Sequence, residues 1–280
     1  MASLTNNQQT TKKSSFLNSN PVMRRLDKVR EYSESDAATY GGITAKTIFF
    51  LLFSVAGMIL QRVLEPSLAT GQLFNLKISG FETSLYMGQI IAIAACVILA
   101  IVFQLLAFFA KSTTPVTGSL YCVTQGYLIA FLVFTVLKGY EHLGLLALII
   151  TVAIVAVMSI LYSTGVIRVT KKFKMVMITL LVTSIAVSLL TFLGSLISFT
   201  RDLVKNLTAN PAISIGISVI FIIIAALFLI CDFNTIDHVV SDKLPKKYEW
   251  QAAFGLSFTV LWLYLKVLDL IMTIAGNKKS

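Results

Sequence analysis

The chain reads as an all-α integral membrane protein, a bundle of about seven transmembrane helices, and three observations predict this. Hydrophobic residues make up 56% of the 280 positions, and mean hydropathy is +0.84. Charged residues are only 13%, where a soluble domain carries about a quarter. The apolar residues are also gathered into uninterrupted runs long enough to cross a bilayer, for which about 20 residues at 1.5 Å rise suffice.

Such runs lie at 43–64, 83–110, 117–139, 142–165, 174–199, 212–233 and 252–274. Hydrocarbon offers backbone N–H and C=O groups no partner, so each run is expected to be a helix that satisfies its own backbone. The organisation that follows is a polar cytoplasmic tail over 1–42, a seven-helix bundle over 43–274 and a short tail over 275–280. Residues 1–20, rich in Asn, Gln, Ser and Thr, lack the apolar content that offsets ordering entropy and are expected to be disordered. The following string PVMRRLDKVREYSESD reads equally as a basic amphipathic surface helix or as a solvated linker. No cleavable signal is expected, because the chain opens polar and the first apolar run serves as its own insertion signal.

The net charge of +10 does not point to nucleic acid, because Lys and Arg sit in the short segments between apolar runs. On one side of a seven-crossing chain fall Lys12, Lys13, Arg24, Arg25, Lys28 and Arg30, then Lys111, then Arg168, Lys171, Lys172 and Lys174, then Lys243, Lys246 and Lys247. On the other fall Arg62, Lys77, Lys138, Arg201, Lys205, Lys278 and Lys279, while Lys46 and Lys266 lie within spans. Fourteen against seven places the N-terminus in the cytoplasm and the C-terminus outside the cell membrane.

Polar residues inside the runs are the functional candidates. In the last run Gly255, Thr259, Trp262, Lys266, Asp269 and Thr273 recur at helical spacing and share one face. The 11 Leu, Ile, Phe and Val between Phe254 and Ile271 contribute roughly −3 to −7 kcal/mol to insertion, against about +5 to +7 for two central charges. Lys266 and Asp269 must therefore face the bundle interior. Asp232 closes the apolar stretch of the sixth run, where it is either an interior acid or the mark of a helix end among the headgroups. Lys266 is expected to pair with Asp232 or Asp269. Ser184, Ser188, Thr191, Ser195 and Ser198 form a hydroxyl stripe on the fifth run, suited to close packing or to a hydrated path, and Gln125 is a further buried polar group on the third.

Enzyme signatures are missing: there is no HExxH, no phosphate-binding GxxxxGK and no Gly-x-Ser-x-Gly elbow. His142 and His238 fall near span ends, so no catalytic residue and no cofactor is expected. Cys96, Cys122 and Cys231 fit neither a disulfide framework nor a zinc site and read as packing residues. Asn206-Leu-Thr208 matches a glycosylation sequon.

The strings SNPVMRRL (19–26), ITAKT (43–47), LYSTGVIRVTKKFK (161–174), CDFNTID (231–237) and, most specifically, KKYEWQAAFGLSFTVLWLYLKVLDLI (246–271) resemble the bacterial branch of the Bax inhibitor-1 (YccA-like) family. The resemblance implies a seven-helix bundle and a pH-sensitive leak for calcium or protons, controlled by two aspartates on the sixth and seventh helices. Asp232 matches the first. Where related chains carry the second acid, Lys266 is read here, with Asp269 one turn on; Gln125 stands at a third-helix position that is often acidic, and the second run contains no arginine. The alternative is a non-conducting regulator that binds other membrane proteins, for instance in membrane-protein turnover. In either case the lipid bilayer is the solvent and nucleic acid is no partner.

The charge distribution makes a direct prediction. A reporter fused after Ser280 should read as external, whereas a cytoplasmic reading would contradict the N-in, C-out arrangement.

Overall fold

The computed structural model describes residues 37–78, 80–110, 112–180, 183 and 211–277. Helix α1 (Tyr40–Leu68) is followed by strands β1 (Leu73–Ile78) and β2 (Phe81–Tyr86), then α2 (Met87–Phe109) and α3 (Thr114–Ala130). Helix α3 continues as a π-helical turn, Phe131–Val136, and α4 (His142–Ser163) comes next. Residues 171–180 are helical and are named α5; α6 (Pro211–Ser241) and α7 (Lys247–Asn277) complete the order. Six helices among the described residues are long and apolar enough to span a bilayer, and they coincide with six of the seven runs. Most of the fifth run, with its hydroxyl stripe, lies outside the described residues, as do the N-terminal tail, its amphipathic string and the sequon.

Several boundaries differ from expectation. Residues 83–86, assigned by hydropathy to the second span, belong instead to an antiparallel hairpin in which Ile78 pairs with Phe81 and Leu73 with Tyr86. Strand β2 buries Phe81, Thr83 and Leu85 and exposes the residues between them, the period of two that a half-buried strand requires. Gly80, at φ +86°, makes the turn. A Cβ there would stand 2.7 Å from the backbone of Gly276, so the hairpin tip rests on the end of α7. In the sixth run, α6 does not stop at Asp232 but runs on to Ser241.

The bundle is apolar on its outside, as a membrane protein must be. Leu52, Val55, Ile59 and Val63 on α1, Ile98 and Ile101 on α2, and Ile149, Val152 and Ile160 on α4 are all exposed. Packing inside is tightest between α1 and α3. A Cβ on Gly126 would fall 1.8 Å from the Ser54 carbonyl oxygen and one on Gly57 2.0 Å from that of Val123, so the two backbones touch where both residues are glycine. Beside this seam Phe254 of α7 meets Phe50 at 5.8 Å and Tyr121 at 5.5 Å, each edge to face. Gly118 leaves room for the first two rings. Cys96 and Cys122 are buried free thiols and Cys231 is half-buried.

Helices α1, α3 and α7 begin at one end of the bundle, the N-terminal face, where α4 and α6 end; the hairpin marks the opposite face.

Candidate functional site

Helices α6 and α7 lie antiparallel against each other, and their side-chain contacts fix the register. From the N-terminal face inward, Asp232 meets Gly255 and Thr259: its Oδ1 lies 3.8 Å from where a Gly255 Cβ would stand, and Thr259 is the neighbouring α7 side chain. The Thr259 hydroxyl donates to the Gly255 carbonyl at 3.2 Å. Next, Phe228 packs on Trp262, with ring centroids 6.0 Å apart. Beyond them the Lys266 ammonium sits 4.7 Å from the centre of the Phe221 ring, and Ser218 donates to Asp269 Oδ2 at 3.2 Å. The polar face predicted for α7 is therefore turned toward α6.

This register corrects the expected ion pair. Phe221 and Asp232 are separated by eleven residues of helix, about 16 Å at 1.5 Å per residue, so Lys266 is far from Asp232. Asp269 is bound to Ser218 instead, and Lys266 forms an ion pair with neither acid; ion pairs among the described residues include Lys46–Glu249, Arg62–Glu65 and His238–Asp242. An ammonium over an aromatic face is a weaker but real alternative to a carboxylate. The α7 side chain opposite Asp232 is Thr259, and a hydroxyl stands where a second acid was sought at Lys266. Sequence spacing placed both residues on one face, but the axial register of two helices is set by contacts such as Phe228 on Trp262.

Among the described residues, Asp232 Oδ2 and Asn234 Nδ2 are buried with no hydrogen-bond partner. On α5, Lys174 stands near the neighbouring Cys231. Gln125 is not brought to this site. It stands on α3, which packs chiefly on α1, α2 and α7, beside Tyr121 as a hydrogen-bonding neighbour, and its Oε1 is buried without a partner.

The N-terminal face carries two more carboxylates that the sequence reading passed over, and both are fully engaged. Glu249, 1% exposed, pairs with Lys46 and accepts the Thr39 N–H at 2.8 Å. A Cβ on Gly42 would stand 2.4 Å from Glu249 Oε1, so the approach needs glycine there. The Lys46 ammonium also lies 5.1 Å from the Trp250 ring. Ala38 N–H donates to the Leu244 carbonyl at 2.7 Å, which binds the start of α1 to the α6–α7 turn. Asp237 accepts hydrogen bonds from Tyr40 at 2.9 Å and from Tyr162 at 2.5 Å, joining α1, α4 and α6. One signal for the first pair was available: a lysine four residues into an apolar run requires a nearby acid.

The family model described as Bax inhibitor 1 like matches residues 13–276. No curated protein and no solved structure matches the chain.

The rim pair is testable on its own. Breaking one partner of a buried ion pair strands the other charge, at about 3 kcal/mol. Lys46→Met should therefore lower thermal stability in detergent clearly, and Lys46→Met combined with Glu249→Gln should recover part of the loss. Additive losses would show that the two side chains are not coupled.

Proposed function

Because this chain belongs to the Bax inhibitor 1 like family, we propose that it is a leak for protons or small monovalent cations across the cell membrane, controlled by Asp232. The observation that carries the reading is the half-buried Asp232 between α6 and α7, whose buried Oδ2 has no hydrogen-bond partner and which makes no ion pair with a basic side chain among the described residues. An intramembrane carboxylate so placed needs a counter-charge, and a mobile proton or cation supplies it.

The chemistry of the site favours a proton over calcium. A calcium ion takes six to eight oxygen ligands, and one carboxylate with one hydroxyl supplies few of them. Among the described residues no group of three His, Cys, Asp or Glu converges. The Lys266 ammonium further along the same helix face opposes a divalent ion more strongly than a monovalent one.

The route is closed in this conformation. Toward the N-terminal face, Asp232 is followed by the engaged carboxylates of Asp237 and Glu249. Toward the hairpin face, the Phe228–Trp262 ring pair separates it from Lys266 and Asp269. Conduction then requires those two rings to part, with the charge state of Asp232 setting how strongly α6 and α7 hold together. With the N-terminus cytoplasmic, as the Lys and Arg distribution favours, Asp232 answers to the inner side.

Purified protein in proteoliposomes, assayed for proton, potassium and calcium flux over a pH series, tests this. Asp232→Asn keeps the shape and removes the titration, so the pH dependence of flux should flatten. An unchanged pH profile in Asp232→Asn, or no flux from the unaltered protein, would overturn the reading, and the second result would favour a non-conducting regulator.

A further inference from the structure

Four consecutive residues, Ala37 to Tyr40, cross the N-terminal face, and each is bound to the α6–α7 turn or to the helix ends beside it. Ala37 pairs with Pro245 in an antiparallel bridge, and the Ala38 N–H donates to the Leu244 carbonyl at 2.7 Å. The Thr39 N–H donates to Glu249 Oε1 at 2.8 Å, and the Tyr40 hydroxyl donates to Asp237 Oδ1 at 2.9 Å. Ala38 is 3% exposed, so the segment is seated in the fold.

The surface that receives this segment is itself well closed. Helix α6 ends with Lys243 at φ +49°, a left-handed conformation that glycine usually supplies at a helix end. The Lys243 and Leu244 N–H groups fold back on the Val240 and Val239 carbonyls, at 3.1 Å each. That satisfies the end of α6 and leaves the Leu244 carbonyl for Ala38.

The two helices are attached unequally. Helix α7 has further contacts with α1 below the rim: Phe254 packs edge to face on Phe50, and Ser257 Oγ lies 3.4 Å from the Thr47 carbonyl. Helix α6 packs mainly on α7 and α4, and Ala38 and Tyr40 bind its end to the start of α1. Helix α1 is fixed on α3 through the Gly57 and Gly126 seam. Residues 37–40 therefore join α6 to the rigid half of the bundle. Asp237 lies five residues, about 7–8 Å, from Asp232 along α6.

We propose that Ala37–Tyr40 is a release strap. Seated, it holds the end of α6 against α7 and closes Asp232 from the N-terminal face; lifted, it lets that end of α6 swing off α7. The proposal rests on the reading of the α6–α7 face as the leak, and adds the element that governs it. Release strands no charge, because Asp237 keeps the Tyr162 hydroxyl and Glu249 keeps Lys46. The strap is thus a two-state contact of the kind that a conformational switch requires.

Hydrogen exchange in nanodiscs and flux in proteoliposomes, both on the full chain, test this. The released form is Ala38→Pro with Tyr40→Phe, which removes the N–H on Leu244 and the hydroxyl on Asp237. The locked form is Ala37→Cys with Pro245→Cys, since antiparallel partners stand about 4.5–5.5 Å apart at Cα, within disulfide reach. In the released form, exchange of the α6 amides over 232–241 should rise at least ten-fold, exchange over 50–61 in α1 should not change, and flux should rise several-fold. Oxidising the locked form should lower both α6 exchange and flux, and reductant should restore them. Faster α6 exchange with no flux from any form would support the strap and count against the leak, which keeps the two readings apart. Should the released form lose protection over 50–61 as well, it has unfolded, and exchange in the oxidised and reduced locked forms decides. Alpha-6 exchange unchanged by release, exchange equal in the two locked forms, or measurable flux that is equal in them would each overturn the strap.

Discussion

A polar group inside hydrocarbon has no water to turn to, and the arrangement of this bundle follows from that constraint. Buried Glu249 and the half-buried acids Asp237, Glu65 and Asp269 are met by donors from elsewhere in the fold. Asp237 draws in Tyr40 and Tyr162, and Glu249 draws in Lys46 and the backbone of Thr39. Glu65 draws in Thr135, and Asp269 draws in Ser218. These contacts act as crosslinks whose strength comes from the lack of an alternative partner. Asp232 has Thr259 on one side and nothing on its second oxygen. Among the described residues it is the carboxylate with a buried oxygen left without a partner.

The two halves of the bundle are held differently. Between α1 and α3, Gly57 and Gly126 let the backbones touch, and such a seam leaves no room for sliding. Between α6 and α7 the contacts are side chain to side chain: an aromatic pair, an ammonium over a ring, a hydroxyl on a carboxylate. Contacts of that kind have more than one arrangement available through rotamer changes, so the movable interface is also the one that carries Asp232. The rim contacts of Asp237 and Glu249 tie the ends of these helices at the N-terminal face to α1 and α4, so displacement is easiest further in.

Much of the fold was legible in the sequence because its signal is local. A run of about 20 apolar residues implies a helix whatever its neighbours do, and six such runs reappear as spans. The hairpin was hidden because hydropathy alone merged residues 83–86 with the helix after them, although the alternation of Phe81, Thr83 and Leu85 carried the signal. Asp232 was legible through its place in an apolar run and through CDFNTID. Its partner was not, because Thr259 and Lys266 share a helical face and only the stagger of α6 against α7 decides between them. The expected pairing of Lys266 failed for that reason. The Lys46–Glu249 pair was missed because Glu249 precedes the apolar run at 252–274, whereas α7 begins at Lys247 and buries it.

The central claim is that Asp232, alone among the acids on the α6–α7 face, exchanges protons inside the bundle. Infrared difference spectroscopy of the protein in lipid across a pH step reads this through the carboxyl C=O stretch. The account predicts a band that disappears in Asp232→Asn and persists in Asp269→Asn. A band that survives Asp232→Asn unchanged would contradict it.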